Sequence, residues 1–253
     1  MLFTKVDHGE LMRIPTLQGV IKRRLLVNFR ADAENIQKIL PKEFRPKLHK
    51  GKAIAGICLI RLEQMRPKFT PEFLGLSSEN AAHRIAVLWE DETGETREGV
   101  YIPRRDTDSF INSTIGGTLF PGEQNRADFT VERAENEIDF AMKSKDKKVA
   151  VALKGRITDV LPETSIFSSL NEASKFFEPG SLGFSVTNDV NYLDGISLAT
   201  KSWKVEALEI DYVHSSFYDD ASIFPKDAIE FDHALIMQNI AHEWHSAPGF
   251  ELK

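Results

Sequence analysis

The stretch SSENAAHRIAVLW (77–89), continued after a turn by GVYIPRRDTDSFINSTIGGTLFPGEQN (99–125), decides how this chain is read. Two apolar runs, 82–89 and 97–102, flank EDETGET with Gly94 at its centre, which is the pattern of a β-hairpin. Glu79, His83, Arg84, Arg104 and Arg105 are set along and around these runs. Successive side chains of a strand point to opposite faces, so at most one of His83 and Arg84 faces a given pocket. Arg104 and Arg105 diverge in the same way. A guanidinium at a strand end suits a carboxylate or phosphate, because its fork of N–H donors matches those oxyanions. The alternative for each group is an ordinary ion pair, with Asp106 or Asp108 as partner for an arginine. Gly116, Gly117 and Gly122 with Phe120-Pro121 read either as a close approach of backbone to ligand or as a structural turn. The chain has no GxxxxGK[ST] segment, which excludes a P-loop.

Outward from this stretch, 20–29 reads as a strand and 31–40 as a short helix with Asp32 as N-cap and Pro41 as stop. Residues 44–48 form a short extended piece. The run 53–63 is apolar throughout, as expected of a strand buried on both faces. A short helix is predicted over 107–115 and ends at Gly116-Gly117. Three strands in meander, 126–133, 137–143 and 148–157, turn once at Ser-Lys-Asp-Lys. A helix over 171–177 ends before Pro179-Gly180. Further strand material lies at 189–192, 197–203 and 205–214. The chain then closes with a helix over 231–241, where Leu235, Ile236, Asn239 and Ile240 share a mostly apolar face. Roughly ten short strands with inserted helices predict a β-rich α+β fold built on an antiparallel or mixed sheet, preferably closed as a barrel, since closure removes exposed strand edges. No linker divides the chain, so one domain is expected over 1–253.

The 253 residues are 42% hydrophobic and 28% charged, enough for a sizeable core. The net charge of −6 offers no basic face, which argues against a nucleic-acid partner. No window approaches the apolar length of a membrane span, and no apolar leader opens the chain, so a cytoplasmic protein is expected. Cys58 is the sole cysteine, so no disulfide forms within the chain. Within Ala-Gly-Ile-Cys-Leu-Ile it reads as a buried thiol packed like a small hydrophobe, with a nucleophile as the alternative. The segment His242-Glu243-Trp244-His245 is one residue short of the zinc motif HExxH, and no metal site is predicted. His214-Ser215 lacks the nucleophile elbow of serine hydrolases. Trp203 and Trp244 either pack in the core or wall a pocket.

One ordered series of short patterns carries a resemblance. RRLLVNF (23–29) is followed by Leu40-Pro41, Gly51-Lys-Ala-x-Ala-Gly, Arg66-Pro67, Glu79-Asn80 leading into a strand, and Gly99-Val-Tyr-Ile. Over about residues 20–215 this resembles the acetoacetate decarboxylase-like superfamily, in its uncharacterised DUF2071 or YqjF-like branch. The resemblance implies a β-rich barrel with a cone-like central cavity. In the decarboxylases a lysine after Phe-Pro or Tyr-Pro forms a Schiff base with a β-keto acid. At the matching Phe120-Pro121, Gly122 and Glu123 follow instead, and no lysine lies between Lys68 and Lys143. The expected activity is therefore an unknown one on a small organic acid or carbonyl compound, of lyase or hydrolase type, without Schiff-base decarboxylation and without a cofactor. Glu79 or Glu123 is the expected proton carrier. Arg30, His83, Arg84, Arg104, Arg105 and Phe120 are the expected binding residues, with Arg23 and Arg24 as alternatives to Arg30 for the arginine that holds the substrate carboxylate. The other reading is a non-catalytic binding or sensor protein using the same cavity. The expected partner is a small molecule, with self-association into a homo-oligomer left open.

Overall fold

The computed structural model describes residues 16–109 and 122–252. Thirteen strands form one mixed sheet. In chain order they are β1 (Leu17–Asp32), β2 (Arg45–Pro46), β3 (Leu48–His49), β4 (Lys52–Pro67), β5 (Leu76–Glu90), β6 (Thr96–Thr107), β7 (Asn125–Ala134), β8 (Glu137–Ser144), β9 (Ala150–Thr158), β10 (Leu182–Val186), β11 (Tyr192–Thr200), β12 (Glu206–Ser215) and β13 (Ile229–Glu251). Among the described residues two α-helices, α1 (Ala33–Ile39) and α2 (Leu170–Phe177), interrupt them. Neither is long and apolar enough to cross a membrane. The Ser169 side chain caps α2 by accepting from the Glu172 N–H, which satisfies one of the donors a helix start leaves open. Asp32 precedes α1 without a side-chain cap; its carboxylate holds the Lys52 ammonium at 2.6 Å.

The pairings close the sheet on itself twice. One ring runs β13-β1-β4-β5-β6-β7-β8-β9-β12 and back to β13. The other leaves β6 through β10 and β11 and returns to β13, so β13, β1, β4, β5 and β6 form a wall common to both. Because side chains alternate, each shared strand serves both rings. Leu25 and Val27, Ile57 and Leu59, and Ala81 and Ile85 enter the larger core with Phe140, Leu153 and Ile236. The intervening Leu26, Cys58, Ile60 and Ala82 enter the second core with Leu198, Leu235 and Met237.

The hairpin, the long apolar strand and the meander stand where the sequence predicts them, with β1, β4, β5 and β6 each running longer at one or both ends. Two elements are corrected: the strand expected over 189–192 is a turn that joins β11 only at Tyr192. The expected C-terminal helix over 231–241 is part of β13, the longest strand. Residues 232–237 are all buried because β13 is covered on both faces and pairs with β1, β11 and β12. A strand of that kind reads as a continuous apolar run, which helical spacing also fits. β10, which the sequence reading assigns to no element, sits beside β6 as a parallel strand. Of the helix expected over 107–115, Thr107 ends β6, and 110–115 lie outside the described residues, as do Gly116, Gly117 and Phe120.

Candidate functional site

The second ring lines a cavity of about 110 Å³. Every strand of that ring contributes to the lining: Arg24 from β1, Cys58 from β4, Arg84 from β5, Arg105 from β6, Gly183 from β10, Leu198 from β11 and Trp244 from β13. Cross-strand register fixes which side chains meet. Cys58 pairs with Leu26 on one side and Ala82 on the other, and Ala82 pairs with Arg105. One row further, Gly56 lies between Asn28 and Arg84. Gly56 and Ala82 are small, which leaves room above the strand for the long arginines around them.

A bulge decides which arginine of β6 enters. Ile85 pairs with Tyr101 but His83 pairs with Arg104, so β6 carries one extra residue there. The facing set changes from Val100 and Ile102 to Arg105, which takes the cavity side. Arg104 turns to the other face with His83.

Three guanidinium groups line the cavity, and each meets neutral partners. Arg24 donates from Nε to Cys58 Sγ at 3.3 Å and lies over the Trp203 ring at 6.0 Å. Arg84 donates from Nη2 to Asn28 Oδ1 at 2.6 Å and lies over Phe177 at 5.1 Å, while its buried Nε has no hydrogen-bond partner among the described residues. Arg105 donates from Nε to Ser185 Oγ at 2.8 Å, and its buried Nη2 is likewise without a partner there. Burial pulls both Arg84 and Arg105 down to about 10, still charged at neutral pH. Among the described residues no carboxylate stands within ion-pair distance of any of the three. Guanidinium groups gathered in a low-dielectric wall without counter-ions attract an anion, most strongly a carboxylate that accepts the free N–H donors.

Other charged groups are matched. Arg23 donates to Glu79 Oε2 at 2.7 Å, both buried on the larger core's side. Burial pushes the Glu79 carboxyl up, against the pull of Arg23. Arg104 grips Asp106 through Nε and Nη2 and reaches Asp146 at 2.9 Å. Burial raises the Asp106 carboxyl against that pull, while Arg104 and Ser144 hold Asp146 well below the usual carboxylate range.

The sequence-derived candidates thus fall into separate places. Arg84 and Arg105 line the cavity. Glu79, His83 and Arg104 face the opposite side of the same strands. His83 is fully buried against Phe217 and Tyr218, its Nε2 lies 3.3 Å from Ser215 Oγ, and burial lowers it to about 3. Glu123 is exposed, its N–H bonded to the Val186 carbonyl. Phe120 lies outside the described residues. Arg30 pairs with Glu230 at 2.7 Å and Asp232 at 3.1 Å away from the cavity lining. It is nevertheless connected to it. Asp232 holds His233 at 2.6 Å, His233 Nε2 lies 3.1 Å from Asn28 Nδ2, and Asn28 accepts from Arg84. This chain of hydrogen bonds fixes Arg84 from behind.

Arg24, which the sequence offered only as an alternative to Arg30, and Cys58, read there as a buried thiol with a nucleophile as the alternative, also line the cavity. The signal was the alternation of β4, whose even positions Cys58, Ile60 and Leu62 share one face. Trp203 and Trp244 do line the cavity. In β13 the two histidines of His242-Glu243-Trp244-His245, three apart, point to opposite faces, and the described residues contain no metal-binding cluster.

With this geometry in hand, three comparisons bear on the chain. The model of the DUF2071 family, described as "Uncharacterized conserved protein", matches residues 20–222. No curated protein matches the sequence at a significant level. Among solved structures, the fold is similar to an acetoacetate decarboxylase-like enzyme from Sphingomonas wittichii RW1, at 15% identity over 100% of this chain and 98% of that one, with a TM-score of 0.58. It is also similar to acetoacetate decarboxylase from Legionella pneumophila, at 14% identity over 100% and 92%, with a TM-score of 0.59. A third likeness is to the enduracididine biosynthesis enzyme MppR complexed with pyruvate, at 13% identity over 98% and 93%, with a TM-score of 0.56. At these identities the likeness is one of fold.

Proposed function

The chain belongs to the DUF2071 family, with the fold of acetoacetate decarboxylase-like proteins, and from that premise we propose that its cavity binds a small organic acid or carbonyl compound as the anion. The observation that carries this reading is the set of three cavity-lining guanidinium groups, Arg24, Arg84 and Arg105, that have no carboxylate partner among the described residues. Schiff-base decarboxylation is outside the reading. The sequence between Lys68 and Lys143 has no lysine, and none is among the described cavity walls. Pyruvate, which MppR is described as binding, is a suitable probe. Calorimetric titration should give saturable binding of pyruvate to the protein and a loss of about tenfold or more in Arg105→Gln, the scale of one charge-assisted hydrogen bond. Equal affinity in the two proteins would sink the proposal.

A second reading, binding or sensing without turnover, is favoured by the position of the carboxylates. Glu79 is committed to Arg23 away from the lining and Glu123 is exposed, and of the two carboxylates in the lining Asp106 is held by Arg104 and Glu178 is exposed. Turnover of a panel of 2-oxo and 3-oxo acids by the wild-type protein would decide for the enzyme; binding with no product would decide for the sensor.

A further inference from the structure

We infer that Cys58 is a nucleophile of this cavity, one that adds reversibly to the carbonyl carbon of a small 2-oxo acid held by the arginines. The inference rests on the anion-binding reading above and extends it to covalent capture.

The strand period turns Cys58 away from the larger core, which takes Ile57 and Leu59, and toward the cavity. Its neighbours across the sheet are Leu26 and Ala82, and the alanine leaves the space beside the sulfur unfilled by side chain. Arg24 Nε donates to Sγ at 3.3 Å, so the sulfur serves as an acceptor and its own S–H is free to point elsewhere. Arg105 stands one strand beyond Ala82 in the same row. Arg84 lies in the next row, buried, with its Nε aimed at no protein acceptor among the described residues. A thiol walled among aliphatic side chains alone would be an inert hydrophobe. This thiol shares its wall with three cations, which concentrate anionic electrophiles around it.

The chemistry balances without a co-reactant. The sulfur lone pair forms a bond to the carbonyl carbon of the 2-oxo acid, the C=O π pair moves to oxygen, and that oxygen takes the proton released by the thiol. The product is a hemithioketal. The guanidinium groups hold the carboxylate and donate to the oxygen that gains charge, in the manner of an oxyanion site. Arg84 needs no rearrangement for this, because Asn28 and His233 already fix it.

The test compares iodoacetate with iodoacetamide on the full chain, which has this one thiol. The two probes differ in charge and hardly in size. The ratio of carboxymethylation to carbamidomethylation rates, read by intact mass, should be about tenfold or more higher in the folded protein than in the same protein unfolded in urea, the gain a charged cleft gives. The ratio should fall toward the unfolded value in Arg105→Gln and in Arg24→Gln, and pyruvate should slow iodoacetate. Pyruvate labelled at its carbonyl carbon should show, with the wild type, a tetrahedral carbon resonance distinct from that of pyruvate hydrate, and Cys58→Ser should lack it. Equal ratios in folded and unfolded protein, or a folded thiol inert to both probes, would overturn the inference. Calorimetry with Cys58→Ser separates the two levels. If that variant binds pyruvate while the rate ratio is flat, only the covalent step fails. If wild type and variant both fail to bind, the anion-binding reading falls as well.

Discussion

Arg23 and Arg24 are neighbours in β1, and Arg104 and Arg105 are neighbours in β6, yet each pair is split by the sheet. Arg23 and Arg104 point toward the larger ring and find Glu79, Asp106 and Asp146 there. Arg24 and Arg105 point into the second ring and find a thiol, a hydroxyl and an indole face. The residue types are the same, the strands are the same, and the burial is comparable. What differs is the counter-ion. A buried guanidinium matched to a carboxylate is structural, since removing either partner leaves a charge that cannot be solvated. A buried guanidinium without one is an unfilled electrostatic site, and folding tolerates its cost only if something else compensates.

The contrast can be broken most severely at the matched pair. Arg23→Met strands the Glu79 carboxylate and should lower the unfolding free energy by about 3 to 5 kcal/mol in denaturant titration, while Arg23→Met with Glu79→Leu recovers most of the loss. If the single and double variants are equally unstable, the pair is not what stabilises this face. At the unmatched site the expectation reverses. Arg105→Gln should leave the denaturation midpoint unchanged or raised, because an uncompensated buried charge is removed, while anion affinity falls. A destabilisation as large as that of Arg23→Met would erase the distinction between the two classes.

Gly56→Ala sharpens the comparison from the backbone. A Cβ there would come within 2.6 Å of the Val27 carbonyl oxygen and 3.1 Å of Asn28 Oδ1, the atom that holds Arg84. The expected loss is about 1 to 3 kcal/mol, as for other overpacked sites, together with weaker pyruvate binding. Retained stability and binding would show that the Arg84–Asn28 contact is not needed.

The last effect concerns pH. His83 is neutral in the fold, held down to about 3 by burial, whereas in the unfolded chain it protonates below its ordinary value near 6.5. The unfolded state therefore binds the extra proton between those values, and stability is lost as pH falls from about 6.5 toward 3. The slope from this one group approaches about 1.4 kcal/mol per pH unit, and His83→Gln should remove it from a pH series of denaturation midpoints. An unchanged slope would mean that other groups, such as His242, which burial holds at about 4, govern the acid limb.

Much of this was legible beforehand because it depends on period and local chemistry. The alternation of β5 already forbids His83 and Arg84 from sharing a pocket, and they do not share one. Gly94 and the flanking apolar runs mark the hairpin, and the meander announces itself through its turns. β13 was misread because burial on both faces removes the alternation that identifies a strand, leaving Leu235, Ile236 and Ile240 compatible with a helix. Cys58 looked like core because five apolar neighbours surround it in sequence, although only every second one shares its face.

The sequence by itself determined a β-rich sheet, a family and a single thiol. Only the tertiary structure decided which arginines are matched and which face the cavity. That choice turns on a one-residue bulge in β6 and on the closure of two rings around one shared wall, and both depend on pairings between strands far apart in the chain, where a shift of one residue exchanges the faces.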